Sequence, residues 1–510
     1  MSQASDKAAE STVLGHPAGL FVLFFAELWE RFCYYGMRAL LALYIAQQFF
    51  STLSSEEGQA QASASYGGFT ALVYALGIFG GSIADRVLGY RRTIVLGGLF
   101  MALGEFMLMV PAGNYLGFDQ KQVFFYGLSM LIVGNGLFKP NISSLVGKLY
   151  KQGDPRRDGG FTIFYMGINI GAAIAPVFCE RFAAYMGSDG QPDYRYGFAL
   201  AGAGMLLGLV CFGLFTRVLG DKGLPPAGKE GFGPIAMVTL GGLIVAPGVY
   251  MLLALKEDVV GYILYASFAA ILVFLISVAL KEELQQRERL FALILLLVLN
   301  CVFWMGFEQA GNSLNFFAKK QLSPLTLGSW SMPAEWWQSV NAVLIVLFGP
   351  VFSWLWVALD KRGKNPPIPA KFGLGFLGMG LGFLVINQGI GSASSAGMVM
   401  WYFLLGLYLV HTLAELCLSP VGLSMVTKLA PGRMTGMVMG SWFISIATGN
   451  FLAGKVSTLA ATKAGAASDA LGKVQAYGEV FSYMVYLGVG LGLAVIVLSR
   501  LINKWMHGVK

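Results

Sequence analysis

Charged residues are scarce in this sequence. Only 12% of its 510 residues are Asp, Glu, Lys or Arg, whereas 56% are hydrophobic, and the mean hydropathy is +0.66. Soluble globular domains carry about twice that share of charged residues. The composition therefore excludes a soluble domain and predicts a membrane protein.

Paired cysteines and nucleotide-binding motifs are missing as well. The five cysteines lie in or beside apolar runs without paired spacing, so neither a disulfide framework nor a zinc site is indicated. No GxxxxGK[ST] loop occurs, which argues against an ATP-driven pump, and "GLGFLG" at 373–378 lies in a hydrophobic run without a preceding strand. We therefore expect no enzymatic activity, no metal and no cofactor.

Apolar runs long enough to cross a membrane make up most of the chain. A bilayer core of about 30 Å needs about 20 apolar residues per helix, and we count about fourteen such runs. The predicted helices lie near 18–50, 62–88, 93–112, 121–149, 158–185, 195–219, 233–255, 259–280, 290–319, 334–359, 370–389, 397–428, 434–457 and 477–503. Residues 1–17 and 506–510 are predicted to be cytoplasmic tails, and the first 17 residues lack the basic region and the cleavage site of a signal peptide.

The basic residues follow a topological pattern. They cluster after even-numbered helices, as at Arg91 and Arg92, whereas the alternate loops carry almost no Lys or Arg. The positive-inside rule then places both termini in the cytoplasm. The net charge of +8 mostly reflects this topology and does not indicate nucleic acid as a partner.

An internal repeat divides the chain into two related halves. "GGSIADRVLGYRR" closes the second predicted helix, and "WVALDKRGK" closes the second helix of the later six, each with an acidic residue before a basic cluster. A basic loop could also serve topology alone. The repeat predicts an all-α polytopic protein with six-helix bundles at 18–220 and 286–505 and an inserted two-helix hairpin at 221–285. Related halves around a central site are typical of transporters, and the first repeat resembles the loop motif of the major facilitator superfamily.

Charges within the first helix need a special environment. Glu27, Glu30 and Arg31 share an arc of roughly 140° with Tyr34 and Tyr35. Because a charge facing lipid costs several kcal/mol, this stripe must face protein or a water-filled cavity. The alternative is a buried structural ion pair between Glu30 and Arg31.

Further ionisable residues lie within other apolar runs, and their signs are complementary. The first half carries the cations Arg31 and Lys139, and the second half carries the anions Glu308 and Glu415. The simplest pairing crosses between the halves. Ion pairs that form and break there would gate alternating access, and a carboxylate beside a cation can exchange a proton during the cycle.

Several stretches resemble one known family. "ELWERFCYYGMRALL" resembles the ExxERFxYYG signature of the proton-dependent oligopeptide transporters, and "GGFTIFYMGINIGAAIAP" at 159–176 is similar to their fifth-helix signature. "FKPNIS" at 138–143, "FEQAGNSLNFFA" at 307–318 and "ELCLSPVGLSMVTKLAP" at 415–431 also resemble that family. The likeness covers essentially the whole chain and includes an extra helix pair like that of the bacterial members.

The resemblance implies roles for individual residues. Glu27, Glu30 and Arg31 would couple the proton, and Lys139 and Glu308 would complete the ion-pair switch. The following residues would bind the peptide: Glu415, Asn169 and Asn341 at its amino terminus, Arg31, Lys139 and Tyr34 at its carboxylate, Tyr35, Tyr74, Trp304 and Trp442 around its side chains, and also Glu308. For Tyr74, Trp304 and Trp442, packing or an interfacial belt is the alternative.

The function that the resemblance implies is symport of di- and tripeptides with protons into the cell, across a bacterial inner membrane. The alternative is the same fold carrying nitrate or another small organic anion. Glu415 distinguishes between these two functions, because a carboxylate in the site attracts the amino group of a zwitterion and repels a lone anion. No histidine occupies the second helix, as it does in some members. His411 lies one turn before Glu415 and could tune that glutamate, but we favour a packing role in which it hydrogen-bonds a neighbouring helix. We expect the lipid bilayer as surroundings and no obligate protein partner.

Overall fold

The structure is a computed structural model that describes residues 12–151, 154, 156–188, 190–254, 257–431 and 434–509. Residues 1–11 of the predicted N-terminal tail and residue 510 of the C-terminal tail lie outside this range. The described residues form fifteen α-helices. In chain order, α1 to α15 are Gly19–Phe49, Ser55–Ile83, Tyr90–Leu108, Gln120–Lys148, Arg157–Met186, Tyr194–Phe215, Gly233–Ala254, Glu257–Ala279, Leu284–Phe307, Ser313–Lys320, Trp337–Lys361, Ile368–Gly391, Trp401–Leu429, Thr435–Gly465 and Ala470–Trp505.

The all-α polytopic fold is confirmed, since every helix lies on a predicted apolar run. The single helix predicted near 290–319 is divided into α9 and α10 by a 3-10 turn at Glu308–Gly311. Twelve spans among the described residues are long and apolar enough to cross a membrane. The long helices α1 and α3 fall outside that set, and each carries several charged residues. Three starts lie well before the predicted ones, because these helices open with polar turns. The helices α2 and α15 begin seven residues earlier, at Ser55 and Ala470, and α9 begins six residues earlier, at Leu284.

Three short antiparallel pairs lie in connecting segments. They are β1 Thr12–Val13 with β2 His16–Pro17, β3 Asn114–Tyr115 with β4 Phe118–Asp119, and β5 Thr326–Leu327 with β6 Trp330–Ser331. The first two hairpins turn through a leucine and a glycine that both have positive φ, at Leu14–Gly15 and Leu116–Gly117. Positive φ at both central residues is what a type I′ hairpin turn requires.

The chain divides into two compact units. Unit 1 contains residues up to Leu41 and residues 72–256, and unit 2 contains residues 42–71 and 257–510. The inserted helices belong to different units. In unit 1, Gly242 of α7 packs on the Phe100 ring of α3, and in unit 2, Gly261 of α8 packs on the Phe451 ring of α14.

Close helix contacts in unit 1 depend on glycine. A Cβ at Gly80 of α2 would lie 1.9 Å from Gly136 O of α4, and one at Gly104 of α3 would lie 2.6 Å from Gly127 O. Pro140 lies inside α4 and lacks the N–H that would bond the Gly136 carbonyl. Small residues let membrane helices approach to backbone contact, where dispersion forces stabilise the pair.

The loop after α2 is held by arginines. Arg91 donates to the carbonyl oxygens of Lys222 and Gly220, each at 2.6 Å. Arg92 Nη2 donates to Glu230 O at 2.5 Å, so the segment before α7 is fixed onto this loop. The basic cluster that the sequence assigns to topology therefore also anchors a connecting segment.

Unit 2 contains the N-terminal part of α2, which packs along α14. A Cβ at Gly67 would lie 2.8 Å from the Gly454 Cα. Nearby, Ser63 and Ser457 are hydrogen-bonded at 2.9 Å, and Ser457 donates to Asn312 Oδ1 at 2.8 Å. These buried polar groups satisfy one another, as groups away from water must.

We predict that Gly80→Ala destabilises the protein, because the added methyl group would overlap Gly136 O. Overpacking of this kind typically costs about 1–3 kcal/mol. Gly81→Ala is the matched control, since a Cβ there meets nothing within 4 Å and alanine favours the helix. Thermal unfolding in detergent, followed by tryptophan fluorescence, should show a lower Tm for Gly80→Ala alone. Equal Tm values would contradict this packing.

Candidate functional site

Three charged side chains of α1 form a cluster that is closed off from solvent. Glu27, Glu30 and Arg31 are 2%, 0% and 3% exposed. The Arg31 guanidinium donates through Nε to Glu30 Oε2 and through Nη2 to Glu30 Oε1, the latter at 2.7 Å. Its Nε also lies 3.2 Å from Glu27 Oε1, one turn earlier. One cation is thus shared by two carboxylates, and Glu27 Oε2 has no hydrogen-bond partner among the described residues.

Two side chains of α4 extend this cluster. The buried Asn135 donates from Nδ2 to Glu30 Oε1 at 3.1 Å. One turn later, the Lys139 ammonium lies 4.4 Å from the centre of the Tyr74 ring, and its charge also acts on Glu27. An aromatic face attracts a cation electrostatically, so Tyr74 helps to fix the position of the Lys139 ammonium group.

A glycine of the fifth-helix signature brings α5 against α1 beside Arg31. A Cβ at Gly171 would lie 2.4 Å from Leu28 O and 3.0 Å from Arg31 Cβ, so no larger residue fits without movement. Asn169 is 5% exposed and donates to Tyr165 O of its own helix at 2.9 Å. In this conformation its amide therefore caps a helical carbonyl, and its predicted contact with peptide stays a prediction.

The two tyrosines of the first signature contact arginines. The Arg31 guanidinium carbon lies 5.5 Å from the centre of the Tyr34 ring, and that of Arg38 lies 5.6 Å from the centre of the Tyr35 ring. The two rings meet edge to face with centres 5.5 Å apart. Such contacts restrict the arginine rotamers.

In unit 2, hydrogen bonds orient Glu415, the residue predicted to bind the peptide amine. Asn341 of α11 donates from Nδ2 to Glu415 Oε2 of α13 at 3.0 Å, and its Nδ2 also lies 3.0 Å from Thr412 Oγ1. The Thr412 hydroxyl donates to Tyr408 O at 2.7 Å, so its oxygen is free to accept from Asn341. The structure thus brings together two of the residues that the resemblance pairs.

Trp304 is oriented by two consecutive hydrogen bonds. Its indole Nε1 donates to Asn300 Oδ1 at 3.1 Å, and Asn300 Nδ2 donates to Ser445 Oγ at 2.7 Å. Trp442 is 5% exposed and packs on Gly422, where a Cβ would lie 2.6 Å from the indole ring. Both indoles are therefore held in fixed positions, Trp442 mainly by packing.

Glu308 lies where a helix is interrupted. Residues Glu308–Gly311 form a 3-10 turn between α9 and α10, and Glu308 is 3% exposed. Interrupted helices are typical of ligand sites in transporters. The pairing of Arg31 and Lys139 with Glu308 and Glu415 stays a prediction. His411 hydrogen-bonds Met379 O of α12 at 3.0 Å, which confirms it as a packing residue.

Four polar residues of these clusters were missed by the sequence analysis. Asn135, Asn300, Thr412 and Ser445 contact the predicted site residues but are uncharged. An uncharged polar residue costs little enough in a membrane helix that its presence alone is a weak signal. Among the residues that the structure describes, no group of three or more His, Cys, Asp or Glu could hold a metal ion.

We predict that Arg31→Gln destabilises the protein strongly, because it leaves two buried carboxylates without their shared cation. Breaking a buried ion pair from one side typically costs about 3–5 kcal/mol. The double variant Glu30→Gln/Arg31→Gln should lose less than the sum of the two single variants in denaturant unfolding. Arg156→Gln is the control, because its pair with Asp154 is solvent-exposed and such pairs contribute about 0–1 kcal/mol. Additive single effects would contradict a coupled pair.

Comparisons with known proteins identify one family. The sequence matches the model of the POT family over residues 91–476. It is 37% identical to the peptide transporter YePEPT of Yersinia enterocolitica, over 89% of this chain and 90% of that protein. It is 33% identical to the dipeptide and tripeptide permease B of Aeromonas hydrophila, over 98% of this chain and 96% of that protein. A solved POT family transporter in complex with 5-aminolevulinic acid superimposes with a TM-score of 0.79 and 32% identity, covering 98% of this chain and 100% of that one.

The family match spans well over half of the chain, and the relatives are similar along nearly its whole length. The helices therefore form the major facilitator superfamily fold of these transporters, in a multi-pass protein of the inner membrane. The chain belongs to the POT family of transporters.

Proposed function

We propose that this protein carries di- and tripeptides into the cell together with protons. The observation that carries the proposal is the sharing of one guanidinium by two buried carboxylates, Glu27 and Glu30, with the Lys139 charge nearby. Two cations and two anions are in balance while no substrate is bound. A substrate carboxylate that draws on Arg31 or Lys139 leaves one negative charge in excess.

Proton uptake follows from that excess. An uncompensated charge in a low-dielectric site costs several kcal/mol, and protonation of Glu30 or Glu27 removes it. Binding of the substrate carboxylate and binding of a proton thus stabilise each other, which is the coupling that a symporter needs. A proton on Glu30 also weakens its bond with Arg31 and frees that cation for the next step.

We assign the carboxylate end of the peptide to Arg31, Lys139 and Tyr34. Guanidinium and ammonium groups form the strong, charge-assisted hydrogen bonds that a carboxylate accepts. Phenol and indole faces at Tyr35, Tyr74, Trp304 and Trp442 would accept varied peptide side chains, because aromatic surfaces do not demand one shape.

We assign the amino end of the peptide to Glu415. Asn341 already bonds one of its oxygens and fixes the plane of the carboxylate, so a peptide ammonium group meets an oriented acceptor. An ammonium group between carboxylate oxygens forms short hydrogen bonds. Asn169 would contribute after giving up its bond within α5. A lone anion such as nitrate has no group for this carboxylate to bind.

The relatives support this substrate class. Two are named as transporters of peptides or of di- and tripeptides, and the solved neighbour holds 5-aminolevulinic acid, which carries an amine at one end and a carboxylate at the other. We expect no cofactor and no obligate protein partner, since the proton gradient across the bilayer supplies the energy. By the positive-inside rule, we also expect both termini to face the cytoplasm.

Uptake of labelled dialanine into liposomes that contain the purified protein tests the proposal. We predict accumulation only under an inward proton gradient or an inside-negative potential, and no competition by nitrate. Folded and correctly inserted protein that takes up no dialanine, or that takes up nitrate instead, would contradict the proposal. The anion alternative would then replace it.

We also predict that Glu415→Gln weakens binding of dialanine, because the neutral amide cannot pair with the ammonium group. Loss of a buried charged contact should reduce the affinity about tenfold or more. N-acetylated dialanine, which lacks the ammonium group, should bind the variant and the unaltered protein alike. Glu479→Gln is the control, since this exposed glutamate pairs only with Lys463 among the residues described. Equal losses for both peptides would show that the assigned contact is wrong.

A further inference from the structure

Another acidic residue of unit 1 is buried as deeply as the α1 cluster but lies apart from it. Glu105 of α3 is 0% exposed. Its Oε1 accepts a hydrogen bond from Cys33 Sγ of α1 at 3.4 Å. Its Oε2 has no hydrogen-bond partner in the part of the chain that the structure describes. Neither the signature motifs nor the proposed peptide contacts include this residue.

The surroundings of Glu105 contain no cation among the described residues. On the α6 side, a Cβ at Gly202 would lie 3.0 Å from Glu105 Cβ. On the α4 side, the adjacent Gly104 of α3 packs on the Gly127 backbone and on Leu131. The titratable groups that interact with Glu105 are the thiols of Cys33 and of Cys179 of α5.

These contacts do not suit a negative charge. An ionised carboxylate away from water costs several kcal/mol unless a cation or several donors compensate it. A thiol is a weak donor, so it compensates little. Glu30 shows the contrast, because Arg31 and Asn135 together donate three hydrogen bonds to its two oxygens. In this conformation Glu105 is therefore stable as the neutral acid, with its proton on Oε2.

A permanent neutral side chain would not need to be an acid. Glutamine has the same shape and no ionised state, so the carboxyl group adds only the ability to release a proton. Its one donor, Cys33, lies on α1 three residues after Glu30. A displacement of α1 would separate the thiol from Glu105 and let water reach Oε2.

We propose that Glu105 is a second proton-binding site of the transport cycle, separate from the Glu27, Glu30 and Arg31 cluster. When water reaches Oε2, the O–H bond breaks, the proton passes to water and the carboxylate is hydrated. When the site closes again, a proton returns to the same oxygen. The proposal rests on the proposed proton-coupled transport, and it makes the proton-to-peptide ratio larger by one than the α1 cluster alone would give.

The proton itself can be tested without transport. Infrared spectra of the full-length protein in membranes should contain the carbonyl band of a protonated carboxyl group that is lost in Glu105→Gln. In Cys33→Ala, where the donor to Oε1 is removed, the band should remain and move to higher frequency. A spectrum unchanged by Glu105→Gln would overturn the proposal, because Glu105 would then be ionised.

The transport role is tested by the proton-to-dialanine ratio. It is measured in liposomes from the membrane potential at which net dialanine flux vanishes at fixed gradients. Glu105→Gln should lower the ratio by one, whereas Glu105→Asp, which keeps an acid, should retain it. An unchanged ratio in Glu105→Gln would overturn the proposal. Failure of the unaltered protein to accumulate dialanine would instead overturn the proposed function, while the infrared band still tests the proton on Glu105.

Discussion

The cost of a charge in a low-dielectric interior is the constraint on which the site depends. Three charged residues within five positions of α1 can remain buried only because each compensates another. Arg31 is the centre of this arrangement, since it contacts both Glu27 and Glu30. A group that is stable only while its partners are present changes its protonation when a partner is diverted. Stability and proton coupling therefore have the same physical origin here.

Backbone contact between helices provides the geometry that this compensation requires. Gly171 lets α5 lie directly on α1 beside Arg31, and Gly80 lets α2 lie on α4 at Gly136, one turn before Pro140. Because α4 carries both Asn135 and Lys139, its position decides which donors reach the carboxylates. Small residues thus act on the electrostatics indirectly, through the distances at which charged side chains meet.

Much of the fold and part of the site could be predicted from the sequence. Apolar runs predicted the long helices, and buried charges identified Glu30, Arg31 and Glu415, since such charges are rare in membrane helices. The contacts of Asn135 and Thr412 could not be predicted, because uncharged polar residues are common in helices and their partners depend on packing. The bond between Cys33 and Glu105 was unpredictable for the same reason: residues 72 positions apart in the sequence meet only in the folded chain.

The most direct test of the account is the number of protons taken up when dialanine binds. Calorimetry of the purified protein, in buffers with different ionisation enthalpies, gives this number without a gradient or a membrane. The account predicts net proton uptake by the unaltered protein and a lower uptake by the Glu30→Gln variant, in which the coupled carboxylate is already neutral. Binding without proton uptake, or equal uptake by both proteins, would contradict it.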